Sequence, residues 1–183
     1  MSLNVQSYVE DCDDELAREI KADVAYVKQK TGIDVSDAEV KSVEEMGDAA
    51  GTCMIETKDI DVRVDTLAAN NAKFFKERRY RTGSFRHVIR HEAEHAKGNR
   101  LEGTTELVAS KELGVDPVPA YREKVRAANT IVGILGWDET MDAARQEGAE
   151  VLLVTALVLK FVEQAMDLKE AAEKAEGLVK KAA

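Results

Sequence analysis

All three histidines of the chain fall close together, at His87, His91 and His95, and Glu92 follows the middle one. On an α-helix, residues four apart share a face, with Cβ atoms about 5–6 Å apart. His91 and His95 can therefore turn two imidazole nitrogens onto one metal ion, a ligand type that zinc favours. Glu92 is rotated from His91 by about 100° and cannot join the same pincer. It is placed instead to take a proton from a water that the metal acidifies and to deliver it to a leaving amine. That division of labour is what the spacing H-E-x-x-H encodes. His87 lies on the same stripe but about 12 Å from His95 along the helix axis. It cannot reach the same ion, so it is expected as a neighbour at the cleft or as a surface histidine.

Such a zinc site needs a third protein ligand and an open position for water. Gly98 lets the chain leave the helix and turn back. Glu102 and Glu106 follow, four residues apart at the start of the next helical segment, and by spacing both face the site.

"HEAEH" followed by "EGTTELVA" resembles the gluzincin group of zinc metallopeptidases, in which a second helix supplies a glutamate ligand. The resemblance implies His91, His95 and Glu102 as ligands of one Zn2+ per chain and Glu92 as general base. Glu106, matching the E-x-x-A position, is the second choice of ligand. The resemblance also implies an α+β, zincin-like fold. In that fold a small, mostly antiparallel sheet, a backing helix and an active-site helix are followed by a C-terminal helical lobe. The substrate would be a peptide or protein, its extended chain pairing with an edge strand, and "DIDVRVD" is the strand matched to that edge. Zincins often stabilise the oxyanion with a Tyr or His, which makes Tyr121 and His87 oxyanion or cleft candidates, with Tyr80 also in view. The pattern departs from the family at Glu94 and Lys97, where uncharged and hydrophobic residues are the rule.

The elements that must position these residues are legible in outline. Leu16, Ile20, Val24 and Val27 repeat at helical spacing over 13–31, and Gly32 offers a stop. Segment 38–46 reads as a strand, with a short helix as the alternative. Segment 52–66 reads as two strands, the second with Ile60, Val62 and Val64 alternating against polar residues. A helix is expected over about 67–79, another over 85–97 capped by Ser84, and a third from "TELVASKELG" closed by Gly114. "VDPVP" at 115–119 marks a boundary, giving a metal-binding domain over 1–115 and a helical subdomain over 116–183 that breaks near Gly133–Trp137.

Composition narrows the function classes. A net charge of −9 argues against general phosphate or nucleic-acid binding, and the basic cluster at 73–86 reads as a solvated helix face. Cys12 and Cys53 have no metal-type spacing and are read as reduced thiols of a cytoplasmic protein without a signal peptide. The apolar run 151–162 is too short for a bilayer and is interrupted by Lys160, so no membrane association is expected. Trp137, Leu152, Leu153, Leu157, Phe161 and Met166 form a stripe expected in a core, or, where exposed, in a homodimer through the C-terminal helices.

Three readings compete with a zinc-dependent peptidase. One is a charged amphipathic helix with Phe85, Val88, Ile89, Ala93 and Ala96 inward and the histidines and glutamates in water. A second is a non-catalytic metal-binding or pseudo-peptidase interaction module. The third is a helical interaction protein that works through its C-terminal lobe.

Overall fold

The computed structural model describes residues 3–68 and 84–183. Its helix ends are set by side chains that answer backbone groups left over at each terminus. Asp13 accepts from Glu15 and Leu16 N–H at 3.1 and 2.9 Å and starts α2 (Asp14–Thr31), and Gly32, at φ 76, ends it. The shorter α1 (Val5–Glu10) is capped by Asn4, whose Oδ1 accepts from Ser7 N–H. A strand, β1 (Glu39–Lys41), is followed directly by α3 (Val43–Met46). Segment 38–46 is thus half strand and half helix. The switch falls at Ser42, which forms a reciprocal capping box with Glu45.

The sheet has the order β1–β3–β2, with β2 at Gly51–Met54 and β3 at Asp59–Arg63. β2 runs antiparallel to β3, whereas β1 runs parallel to it, so the sheet is mixed rather than mostly antiparallel. Ile60 and Val62 point into the core, as their alternation predicts. The strand stops at Arg63, and Val64 begins a helix, α4 (Val64–Ala68), instead of continuing the alternation. The rest of the helix expected to about 79, the basic cluster as far as Gly83, and Tyr80 lie outside the described residues.

α5 (Phe85–Ala96) starts at Ser84, whose side chain accepts from His87 N–H, and ends at Lys97, before Gly98 at φ 98. It packs against α2 and also against β2 and β3. This double packing buries all 12 of its residues. Its apolar side joins Val5, Ile20, Val27, Ile60, Val62 and Leu67 in one core.

α6 (Glu102–Leu113) begins earlier than its sequence suggests, because Gly103 lies inside its first turn. Asn99 Oδ1 accepts from Leu101 N–H and from the Thr104 hydroxyl, which ties the connection to the helix start. Gly103 has to be glycine: a Cβ there would lie 2.4 Å from the Lys124 carbonyl oxygen and 2.8 Å from that of Ala182. Gly114, at φ 66, ends the helix, as expected.

Contacts divide the chain into two units, one of Met1–Lys97 with Ala109–Asp116 and one of Gly98–Val108 with Pro117–Ala183. This partition differs from a boundary at 115/116 in assigning Gly98–Val108 to the second unit. That unit is a set of helices: α7 (Arg122–Leu135), α8 (Trp137–Ala144), α9 (Ala149–Glu163) and α10 (Leu168–Ala182). The break expected near 133–137 falls at Gly136, with φ 91. Its core joins Leu101, Leu107, Ile131, Leu153, Leu157, Phe161, Ala175 and Val179. The fold is therefore α+β and mostly helical. No described helix is long and apolar enough to cross a membrane.

Candidate metal centre

His91 and His95 stand one turn apart on α5, each less than a tenth exposed. Their Nε2 atoms are 3.2 Å apart, and the rings meet edge to face at 69°. Two nitrogens each about 2.0–2.1 Å from one tetrahedral ion would be about 3.3–3.4 Å apart. The pair is therefore spaced for a shared zinc. The same distance suits a hydrogen bond between neutral rings, one donating and one accepting. Glu102, the first residue of α6, brings a carboxylate oxygen to the pair, and the three ligand atoms lie within 4.8 Å of one another. Two imidazoles and one carboxylate match a common catalytic zinc set, which leaves a fourth position for water.

Glu106, the second choice, is not in this group. Its Oε1 accepts the Val118 N–H at 2.7 Å and so holds the segment before α7. His87 is 1 % exposed, so it is not a surface histidine. It is a residue of the α5 core, and α5 packs on both sides. Tyr121 closes a 3₁₀ turn, Pro119–Tyr121. Its ring packs against the core of the second unit, with Lys124 Nζ 5.8 Å from the ring centroid. His87 is not one of the three residues whose ligand atoms converge.

Glu92 faces a different neighbour from its flanking histidines. A Cβ built on Gly51 of β2 would lie 2.8 Å from Glu92 Cγ, 2.9 Å from its Oε1 and 2.6 Å from Val88 Cγ1. The carboxylate side chain therefore lies directly on the β2 backbone, in space that only a glycine leaves open. Two residues on, Cys53 has its thiol pKa pushed up to about 12 by burial, helped by the negative charge of Glu92 and then of Asp59 and Glu56. Gly51 and Cys53 thus flank Glu92 from one face of β2.

β3 is hydrogen-bonded on both sides, so "DIDVRVD" cannot serve as the edge that meets an extended substrate. Of the two outer strands, β2 is the one that packs on α5.

Glu94, the charged residue inside the motif, is fully buried on another side of the helix. Arg90 Nη1 lies 3.2 Å from its Oε2, while Arg90 Nε donates to Glu112 on α6 at 2.7 Å. One turn earlier, Arg86 binds Asp23 of α2 at 2.6 Å, and its guanidinium covers the Tyr26 ring. The opposite ends of this arrangement join, because the Tyr26 hydroxyl reaches Glu112 at 3.4 Å. Buried charges persist only when paired, and here the pairing ties α5 to α2 and to the end of α6. Lys97 also lies 3.9 Å from Glu94, so both departures from the family pattern belong to one ion-pair cluster. The charged, water-facing helix considered above does not describe α5, whose histidines and glutamates are all buried.

The sequence reading did not single out Gly51 or the Arg86, Arg90 and Glu112 network. The i, i+4 spacing of Arg90 and Glu94 was a usable signal for part of it. Comparison with protein-family models, curated proteins and solved structures gave no match.

Proposed function

We propose that this chain is a zinc-dependent peptide hydrolase, with His91, His95 and Glu102 as ligands and Glu92 as general base. The observation that carries the reading is the convergence of two imidazole nitrogens, 3.2 Å apart, with the Glu102 carboxylate. Zinc in such a set supplies Lewis acidity and lowers the pKa of a water to about 7. Glu92, beside His91 but turned away onto β2, takes the proton at a carboxylate oxygen and returns it to the leaving amine. Contact with the β2 backbone at Gly51 fixes where that carboxylate stands, so proton transfer is positioned by main chain. An extended substrate chain would lie along β2, the outer strand nearest Glu92.

A closed, non-catalytic metal site is the second reading, favoured by the low exposure of both histidines and of Glu92. One experiment separates the two. Chelator-treated protein is titrated with zinc, then assayed on unstructured peptides, as the parent chain and as Glu92→Gln. A hydrolase binds about one equivalent and cleaves, and Glu92→Gln keeps the metal but loses cleavage. Zinc binding without cleavage selects the closed site, and no stoichiometric binding sinks both. Glu102→Ala should weaken binding far more than Glu106→Ala, and the reverse order would move the third ligand to Glu106.

A further inference from the structure

Residues 103–110 of α6 are all buried, so each polar side chain among them needs a hydrogen-bond partner. Thr104 donates its hydroxyl to Asn99 Oδ1 at 2.7 Å, and Glu106 accepts the Val118 N–H at 2.7 Å. Thr105, between them and fully buried, has a hydroxyl with no hydrogen-bond partner. A helical threonine can turn its hydroxyl back onto the carbonyl four residues earlier. Here that carbonyl belongs to Leu101. It already accepts the Thr104 hydroxyl at 2.9 Å and the Thr104 and Thr105 N–H groups at 3.1 and 2.9 Å. A carbonyl oxygen has two lone pairs, so this acceptor is saturated. A buried donor left unmade is destabilising, and valine would fill the same branched shape without one. Packing therefore does not explain a threonine at this position.

Its place on α6 points to what the hydroxyl serves. Thr105 lies three residues after Glu102, so the two are neighbours on the helix surface, with Cβ atoms about 5–6 Å apart. Side chains on a helix lean toward its N-terminus, which carries Thr105 over the turn that begins with Glu102. A glutamate side chain is long enough to close that gap. The bond is not made in this structure. A carboxylate that ligates a metal is, however, normally held by a hydrogen bond of its own. We propose that Thr105 is a positioning residue of the metal centre: when Glu102 is engaged as a ligand, the Thr105 hydroxyl donates to its carboxylate and fixes its orientation. This rests on the assignment of His91, His95 and Glu102 as ligands and adds a residue that touches no metal. The same hydroxyl then destabilises the metal-free fold and strengthens the loaded one.

Zinc affinity and metal-free stability of full-length Thr105→Val and Thr105→Ser test this. Thr105→Val removes the unpartnered hydroxyl, so the metal-free Tm should rise by about 2–4 °C. Its zinc affinity, read by competition with a chromophoric chelator, should nevertheless fall about 10–100-fold. Thr105→Ser keeps the hydroxyl and loses a methyl group. Its metal-free Tm should fall, while zinc affinity stays within about threefold of the parent. A residue that only supports the fold would move both quantities together. With Co2+ in place of zinc, the visible absorption of Thr105→Val should differ from that of the parent, and Thr105→Ser should retain the parent spectrum. Zinc affinity of Thr105→Val within about threefold of the parent overturns the inference. So does an equal loss in Thr105→Ser, or a metal-free Tm of Thr105→Val below that of the parent. A parent chain that takes up no zinc overturns the ligand assignment itself, an outcome read without either variant.

Discussion

Gly51→Ala is the smallest change that tests how Glu92 is held. The new methyl would enter at 2.6 Å from Val88 Cγ1 and 2.8 Å from Glu92 Cγ, where carbon atoms normally rest about 3.5–4.0 Å apart. Relief therefore requires a movement of about 1 Å. Val88 cannot provide much of it, because β-branched side chains in helices keep essentially one rotamer. The displacement falls mainly on Glu92, whose longer side chain can rotate. Overpacking of this kind costs about 1–3 kcal/mol, which for a chain of this size lowers Tm by about 2–12 °C. Zinc affinity should hold within about threefold, because His91, His95 and Glu102 are untouched. Peptide cleavage should fall about 100-fold, since a displacement of about 1 Å in a proton-transfer group is worth that much. Calorimetry, zinc titration and initial rates on one preparation give all three numbers. An unchanged Tm would refute the close approach itself. A lowered Tm with full cleavage would refute the role of Glu92 while leaving the geometry intact.

Two other predictions bear on the same unit. Glu94→Leu leaves the buried Arg90 short of a charge partner and should cost about 3 kcal/mol, near the low end for a broken buried pair because Glu112 remains. Adding Arg90→Met should recover part of that loss in urea melts, and a double variant no more stable than the single would contradict the ion-pair account. The Cys53 thiol, with its pKa pushed up to about 12, should stay protonated and react with iodoacetamide far more slowly than an unfolded-chain thiol at pH 8. Because the unfolded thiol ionises at lower pH, this group makes the fold lose stability as pH rises above about 8.5, never as it falls. Alkylation at the free-thiol rate in native protein would exclude that environment.

Much of this arrangement is written locally in the chain. Ser84 and Gly98 delimit the histidine helix because a cap and a positive φ are decided by one residue each. The His91 and His95 juxtaposition follows from helical period alone. What period cannot convey is how many sides of a helix are covered. α5 meets α2 on one side and β2 and β3 on another, so His87, expected at the cleft or the surface, and Glu94, placed in water by the amphipathic-helix reading, are interior. Strand order is also not a local property: the alternation in 59–63 identifies a strand but not its place, and β3 turned out to be central. Glu106 shares spacing and type with Glu102, and only the loop packed onto it shows that its oxygen is committed to Val118. The approach of Gly51 to Glu92 is not legible either, because nothing in sequence links a glycine to a side chain on a helix formed about forty residues later.

The close approach at Gly103 has a consequence in time. The residue beside Glu102 packs against the Ala182 carbonyl, and that carbonyl belongs to a helix synthesised roughly eighty residues later. The two histidines, by contrast, are set one turn apart as soon as α5 forms. A nascent chain can thus hold an imidazole pair ready well before the first turn of α6 receives its final neighbours. Contacts between residues so far apart in sequence form slowly, so the histidine pair and the glutamate become ready at different stages of folding. Zinc supplied during refolding, compared with zinc added afterwards, would report on the order in which they arrive.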